Sequence, residues 1–219
     1  MKRTFIKVCG LRTPVDAEKL IGVDVDAAGI IFVPGVKRTV KPQDGAEIAK
    51  QIPTGVKLVG VWMDPSKEEM FTVCNRVNVD FVQLHGSESP AFCQWVKERF
   101  QTKVVKVFHA GIRSPGQLED YAPWIDVALI DSFSEGKRGG TGKVFDWRIL
   151  QKEKERWETF GVSVWVAGGL RVENVNQLLE QYTPDGVDVS SGVELDGVKD
   201  RFKMVQFVER VRAYDRQFR

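Results

Sequence analysis

Four side chains that can exchange or hydrogen-bond protons stand at the ends of short apolar runs. They are the thiol of Cys9 after "TFIKV", the imidazole of His85 after "VQL", the carboxylate of Asp131 after "VALI" and the hydroxyl of Ser190 after "VDV". Such groups can serve as general acid and general base when they surround one substrate. The chain must therefore fold so that the ends of these runs meet.

The whole chain alternates between short β-branched runs and amphipathic stretches. Eight apolar runs can be counted, and the segments between them carry apolar residues near i, i+3, i+4 and i+7. This alternation predicts a parallel sheet with helical crossovers. Eight repeats within 219 residues predict an α/β fold, a single-domain (βα)8 TIM barrel over residues 1–219 with eight parallel strands and outer helices. An open, doubly wound sheet is the alternative.

In such a barrel the catalytic groups belong at the carboxyl ends of the strands, which form one rim. Residues two apart on a strand share a face, and the pairs formed in this way are Lys7 with Cys9, Gln83 with His85, Leu129 with Asp131, and Asp188 with Ser190. The polar members gather near the strand ends, which predicts an active site on the rim. Strands one and eight are neighbours in a closed barrel, so we also expect Lys7 and Asp188 to form a buried ion pair.

Composition and charge exclude several classes of function. The net charge is +2, which provides no electrostatic footprint for nucleic acid or an anionic membrane surface. No apolar run approaches the ~20 residues that span a bilayer, and the N-terminus lacks a signal peptide, so we expect a cytoplasmic protein. Three cysteines at irregular spacing indicate neither a disulfide framework nor a zinc site, and Cys74 and Cys93 are expected to be small buried residues of helices.

Glycine-rich loops indicate phosphate binding. "KRGGTGKVFDW", "AGGLRVENV" and "SSGVE" follow the sixth, seventh and eighth runs. Backbone amides in such loops can hold an anion, and the loops after strands seven and eight commonly bind phosphate in these barrels. A nucleotide P-loop is excluded, because "GGTGKV" lacks its glycine spacing and the Ser or Thr after Lys. The predicted ligand is a phosphorylated small molecule.

Two further residue types complete the candidate site. Arg38, in "PGVKRTVKP" after the second run, has a planar fork that suits a carboxylate. His85 is assigned to substrate contact or to packing, and His109 to a structural or loop role. The two histidines lie far apart in sequence, and no cluster of His and carboxylates has ligand spacing, so we expect no metal site.

These motifs together carry a family resemblance. "IKVCG", "VQLHG", "GGTGKVFDW", "AGGL" with "ENV", and "VDVSSGVE" with "GVKD" resemble, in this order, the phosphoribosylanthranilate isomerases of tryptophan biosynthesis, from residue 6 to residue 200. The resemblance implies a (βα)8 barrel without a cofactor. It also implies conversion of N-(5-phosphoribosyl)anthranilate to 1-(2-carboxyphenylamino)-1-deoxyribulose 5-phosphate, an aldose-to-ketose shift called an Amadori rearrangement.

The resemblance also implies roles for particular residues. Cys9 would be the general base, Asp131 the general acid and Arg38 the ligand of the anthranilate carboxylate, although "VKRTV" here departs from the Ser-Pro-Arg of many members. Gln83 and His85 are expected to contact substrate because they share one face of the fourth strand, not because of the resemblance. The phosphate would be bound by the backbone of Gly140, Thr141, Gly142, Gly168, Gly169, Ser191 and Gly192.

The reaction requires a shifted acidity for both catalytic groups. A free thiol has a pKa near ~8.5 and a free Asp near ~3.9, so we expect the Cys9 thiol to be made more acidic, with Lys7 the nearest cation, and the Asp131 carboxyl less acidic.

Other functions remain open at this stage. A different phosphosugar enzyme could use Lys7 or Lys106 as a Schiff-base lysine, or a metal as epimerases do. A phosphate-ligand sensor would keep the glycine loops without needing Cys9 and Asp131. A second isomerase activity in histidine biosynthesis, and assembly as a monomer or as a homodimer, are also undecided.

Overall fold

A computed structural model describes residues 3–109, 116–131 and 148–219 of the chain. Within these residues, eight parallel strands close into a barrel in which each strand pairs with the next along the chain. The barrel strands are β1 (Phe5–Leu11), β2 (Ala27–Ile31), β3 (Lys57–Trp62), β4 (Phe81–Leu84), β5 (Lys103–His109), β6 (Val127–Asp131), β7 (Ser163–Ala167) and β8 (Gly186–Val189).

Helices cover the outside of the barrel. They are α1 (Pro14–Glu18), α2 (Pro42–Lys50), α3 (Lys67–Cys74), α4 (Pro90–Phe100), α5 (Leu118–Tyr121), α6 (Arg148–Glu158), α7 (Val175–Tyr182) and α8 (Arg201–Phe218), with a 3-10 helix at Ala122–Trp124. A small antiparallel hairpin, β9 (Glu194–Leu195) and β10 (Val198–Lys199), lies between β8 and α8. None of the helices in these described ranges has the length and apolarity needed to cross a membrane.

The pairing of β1 with β8 closes the ring. Lys7 stands opposite Asp188 in this register, and Val8 stands opposite Val189. Closure confirms the predicted (βα)8 barrel and excludes the open, doubly wound sheet, in which the first and last strands could not pair.

Alternate residues of each strand face two separate hydrophobic layers, as the period of two requires. The interior layer includes Cys9, Val105, Val107 and Leu129, whereas Val104 and Phe108 belong to the layer between barrel and helices. At the amino-terminal end of the interior, Phe5 stacks on Trp165 with ring centroids 4.4 Å apart and fills the barrel from below.

Lys106 alternates with the interior residues of β5 and therefore lies in the outer layer. Its ammonium is buried beneath the loop after β4, where it contacts Glu88 at 3.1 Å and the backbone carbonyl of Gly86 at 2.7 Å.

Four aspartates repeat around the amino-terminal end of the barrel. Each immediately precedes an even-numbered strand, and its carboxylate accepts a hydrogen bond of 2.8 Å from the backbone N–H of the second residue of the preceding odd-numbered strand. The four pairs, here called strand clamps, are Asp26 with Ile6, Asp80 with Leu58, Asp126 with Val104, and Asp185 with Val164. They satisfy a backbone donor near the start of each odd-numbered strand and so stabilise the end of the barrel opposite the mouth.

Candidate active site

Cys9 lies near the carboxyl end of β1, inside the barrel mouth, and is only 6% exposed. Its partner in the register of β2 is Gly29. A Cβ on Gly29 would lie 2.8 Å from the Cys9 sulfur and 3.2 Å from Cε of Lys7. Real Cβ atoms do not approach this closely, so the glycine provides the space that the thiol and the lysine occupy.

Lys7 and Asp188 form the predicted ion pair inside the barrel. The ammonium Nζ lies 2.8 Å from Oδ2 of the carboxylate. Burial alone would lower the pKa of Lys7, but the charge of Asp188 outweighs it and raises that pKa above its ordinary value. The ion pair therefore holds the charged ammonium of Lys7 beneath Cys9, where its charge favours the thiolate.

The prediction that the Cys9 thiol is more acidic than an ordinary cysteine is wrong. Burial raises the pKa of the thiol above its ordinary value, and the opposing charges of Lys7 and Lys199 do not offset that effect. Asp188 works in the same direction as burial, because its negative charge also disfavours a thiolate. The sequence analysis expected both the Lys7–Asp188 pair and a more acidic thiol, but it did not count the charge of Asp188, which opposes the effect of Lys7 on Cys9.

Asp131 ends β6 within reach of two histidines. Its Oδ2 lies 3.5 Å from Nε2 of His85, and the Gln83 amide nitrogen lies 3.3 Å from Nδ1 of the same ring. With that amide donating to Nδ1, a neutral His85 carries its proton on Nε2, facing Asp131. Gln83 and His85 thus stand where they can fix the position of the proposed acid.

His109 lies in the same cluster as His85 and Asp131, although the sequence pattern was interpreted as giving it a structural or loop role. It ends β5, its Nε2 lies 3.1 Å from the backbone carbonyl of His85, and the two rings pack edge to face. The period of two along "VVKVFH" places it on the interior face with Val107, a pattern that could have revealed it. Each of the three residues offers one ligand atom, and these atoms of His85, His109 and Asp131 all lie within 4.8 Å of one another.

Two histidines and a carboxylate therefore cluster in space although their spacing along the sequence did not indicate it. Residues far apart in sequence meet because β4, β5 and β6 are adjacent in the ring. Two histidines and one carboxylate are a donor set that transition metals accept.

The guanidinium of Arg38 already has a partner within the protein. It crosses the end of β1, and its guanidinium pairs with the carboxylate of Glu194, with Nε to Oε1 at 2.8 Å and Nη2 to Oε2 at 2.7 Å. Gly10, at φ +81° in the irregularity that follows Cys9, makes this crossing possible, because a Cβ there would lie 2.7 Å from Cδ of Arg38. Glu194 and its second partner Lys199 were not predicted.

The loops after β7 and β8 lie against each other, as phosphate-binding loops of a barrel should. Arg171 and Gly192 form an isolated parallel bridge, and a Cβ on Gly192 would lie 1.9 Å from the carbonyl oxygen of Leu170. Gly168 and Gly169 both adopt positive φ angles of 89° and 65°, which residues with a Cβ rarely accept. Ser191 follows β8 beside Gly192, whereas Gly140, Thr141 and Gly142 lie outside the described residues.

A closed (βα)8 barrel with a buried thiol, a carboxylate and paired glycine loops at one mouth has the architecture of an acid/base enzyme of the barrel class. Residues 6–210 match the family described as N-(5'phosphoribosyl)anthranilate (PRA) isomerase. The chain belongs to this family, which confirms the resemblance found from its motifs.

Named relatives cover almost the full length of the chain. The N-(5'-phosphoribosyl)anthranilate isomerase of Brevibacillus brevis is 37% identical over 214 residues, which are 97% of this chain and 95% of that protein. The corresponding isomerase of Desulforudis audaxviator is 36% identical over 212 residues, 95% of this chain and 98% of that protein.

Solved structures agree with the fold. Phosphoribosyl anthranilate isomerase from Thermotoga maritima is 29% identical, with a TM-score of 0.81 and coverage of 96% of this chain and 99% of that one. A phosphoribosyl anthranilate isomerase in complex with reduced 1-(o-carboxyphenylamino)-1-deoxyribulose 5-phosphate is 28% identical, with a TM-score of 0.78 and coverage of 96% and 99%.

Proposed function

We propose that this chain isomerises N-(5-phosphoribosyl)anthranilate to 1-(2-carboxyphenylamino)-1-deoxyribulose 5-phosphate in tryptophan biosynthesis. The observation that carries the proposal is the position of Cys9 and Asp131. Both face the same barrel mouth, on β1 and β6, and these strands stand three places apart around the ring. An acid and a base separated in this way can act on different atoms of one bound substrate.

Asp131 is the proposed general acid. Its proton passes to the ring oxygen of the ribose, the bond between that oxygen and C1′ breaks, and the nitrogen lone pair forms a Schiff base at C1′. Cys9, as thiolate, then removes the proton from C2′, and the electrons of that bond move to give an enolamine. Tautomerisation of the enolamine yields the ketone, so atoms and electrons balance without a redox partner.

The remaining site residues are proposed to hold the substrate. Arg38 binds the carboxylate, and Gln83 and His85 border the acid and contact the ribose. Phosphate contacts come from the backbone of Gly168, Gly169, Ser191 and Gly192, together with Gly140, Thr141 and Gly142.

Neither lysine named for the Schiff-base alternative suits that chemistry. Lys106 lies in the outer layer, paired with Glu88, and Lys7 is held by Asp188 beneath Cys9. A catalytic amine must be unprotonated to attack a carbonyl, whereas Asp188 stabilises the charged form of Lys7.

We further propose that the protein acts in the cytoplasm, as a monomer or a homodimer, on this phosphorylated small molecule and without nucleic acid, membrane or cofactor. One related structure is described as derived from a dimeric phosphoribosylanthranilate isomerase of Thermotoga maritima.

The decisive experiment follows the fluorescence of freshly made N-(5-phosphoribosyl)anthranilate. Purified protein, dialysed against a chelator, is expected to remove that fluorescence and to form the carboxyphenylamino ketose. A metal-dependent epimerase would lose its activity on dialysis, and borohydride with substrate would inactivate a Schiff-base enzyme. If the fluorescence falls no faster with the protein than without it, the proposal is overturned. A non-catalytic phosphate-ligand sensor would then explain the site better.

A further inference from the structure

The position of the Arg38 side chain depends on Gly10, which it crosses, and on Glu194, with which it pairs. Its aliphatic stem crosses Gly10 directly after Cys9, and its guanidinium then meets Glu194 on β9, beyond the end of β8. The carboxylate occupies Nε and Nη2 with one hydrogen bond each. A guanidinium has five N–H donors, and among the described residues only these two of Arg38 have an acceptor, which leaves three for a second acceptor.

Glu194 is itself held rigidly. Its side chain is 5% exposed, and Oε1 accepts a further hydrogen bond of 2.8 Å from Nζ of Lys199 on β10. Burial alone would raise the pKa of Glu194, but hydrogen bonds from Arg38 and Lys199 lower it to about 2. The carboxylate is therefore charged over the whole pH range in which the enzyme could work.

The same cluster reaches the loop that follows β8. Lys199 donates to the backbone carbonyl of Ser190 at 3.0 Å, and the backbone N–H of Glu194 donates to the carbonyl of Ser191 at 3.0 Å. Glu194 thus connects the proposed carboxylate ligand, Arg38, with the proposed phosphate loop at Ser191.

We propose that Glu194 is a positioning residue that fixes the guanidinium of Arg38 over the barrel mouth for the carboxylate of the substrate. The inference rests on the proposed function and adds a residue to it. A long arginine on a surface loop samples many rotamers, and two charge-assisted hydrogen bonds remove that freedom before the substrate arrives. The substrate's carboxylate then meets donors that already stand in place.

A double-mutant cycle tests whether Glu194 acts through Arg38. Arg38→Ala is expected to raise KM about 10- to 100-fold with a much smaller change in kcat, the range for a hydrogen bond to a charged group. Glu194→Gln should raise KM at least ~5-fold in the wild-type background. In the Arg38→Ala background the same change should have less than a ~2-fold effect, because its target is gone.

A binding measurement separates positioning from general damage. Calorimetry with reduced 1-(o-carboxyphenylamino)-1-deoxyribulose 5-phosphate should show weaker binding by Glu194→Gln, whereas ribose 5-phosphate, which has the phosphate but no carboxylate, should bind as it does to wild type. Equal losses for both ligands, or additive KM effects in the cycle, would overturn the inference.

Loss of Glu194 leaves Lys199 buried without its charged partner, which can unfold a protein. The variant Glu194→Gln/Lys199→Met removes both charges of that pair and keeps similar volumes. It should remain folded by circular dichroism and show the same selective loss of the carboxylate-bearing ligand. A folded double variant with wild-type affinity for that ligand would contradict the proposal.

The two hypotheses fail in different ways. If wild-type protein leaves the anthranilate substrate unchanged, the proposed function is wrong, and the calorimetric comparison still tests Glu194. If wild type is active and Glu194→Gln has the wild-type KM, only the positioning role is wrong.

Discussion

Lys7 and Asp188 are direct partners across the seam where the barrel closes, with Nζ 2.8 Å from Oδ2 and side-chain exposures of 0% and 7%. The two strands that carry the pair are the first and the last of the ring. The pair therefore joins the ends of the barrel at the level just below Cys9.

Lys7→Met should lower the free energy of unfolding by ~3–5 kcal/mol, because it leaves the carboxylate of Asp188 buried and unpaired. Lys7→Met/Asp188→Leu should lose much less, since no buried charge remains. Urea unfolding monitored by circular dichroism measures both. Lys50→Met provides the control, because its pair with Glu47 lies on the surface and should contribute little. A Lys7→Met protein as stable as wild type would contradict the assignment.

This pair was predictable from sequence because it depends only on periodicity and closure. Residues two apart share a face, the first and eighth strands must meet, and two charges on otherwise apolar runs need each other. The same reasoning placed Cys9 and Asp131 near the strand ends.

Other features depend on distances that the sequence does not contain. The acidity of Cys9 follows from the degree of burial and from the compensation of Lys7 by Asp188, and both are properties of packing. Arg38 and Glu194 are 156 residues apart. Their pairing depends on a loop crossing Gly10 and on a hairpin too short to show a strand pattern.

The strand clamps give a stability prediction at the opposite end of the barrel. Asp80→Ala should lower the free energy of unfolding by ~1–3 kcal/mol, because the backbone N–H of Leu58 loses its side-chain acceptor. Lys57→Met is the matched control, since it removes only the exposed ion pair with the same carboxylate. Urea unfolding should show a clear loss for the first variant and little for the second. Equal losses would assign the effect to the ion pair instead.

The proposed acid and base should each be essential to turnover. Cys9→Ser and Asp131→Asn are expected to lower kcat by at least ~10²-fold, the low end for removal of a general acid or base, with the fold intact by circular dichroism. Cys74→Ser makes the same chemical change in helix α3, away from the mouth, and should keep wild-type kcat. Near-normal turnover by either site variant would show that another group takes that role.

The thiol should titrate above the range of an ordinary cysteine. Burial and Asp188 disfavour the thiolate, so in the native protein the pKa of Cys9 should exceed that of the same residue in denaturant. The Cβ resonance of ¹³C-labelled cysteine, assigned with Cys9→Ser, reports this titration directly. The thiolate fraction at neutral pH is then small and grows as the pH rises. A native pKa below the denatured value would restore the acidic thiol that the sequence suggested.

Gly29 should be required for catalysis although it has no side chain to react. In Gly29→Ala the new Cβ would lie 2.8 Å from the Cys9 sulfur and 3.2 Å from Cε of Lys7, so the thiol must move. A displacement near 1 Å is enough to cost up to ~10²-fold in rate, and we expect kcat to fall about 10- to 100-fold.

The control for Gly29→Ala is Gly60→Ala on the next strand. There the new Cβ would meet the ring of Trp62 at 2.4 Å, in the layer between barrel and helices rather than at the mouth. Overpacking should lower the stability of both variants by ~1–3 kcal/mol. Only Gly29→Ala should lose turnover when both are assayed at a temperature where they are folded. If Gly60→Ala loses as much kcat, the effect is general strain, and the space beside Cys9 has no special role.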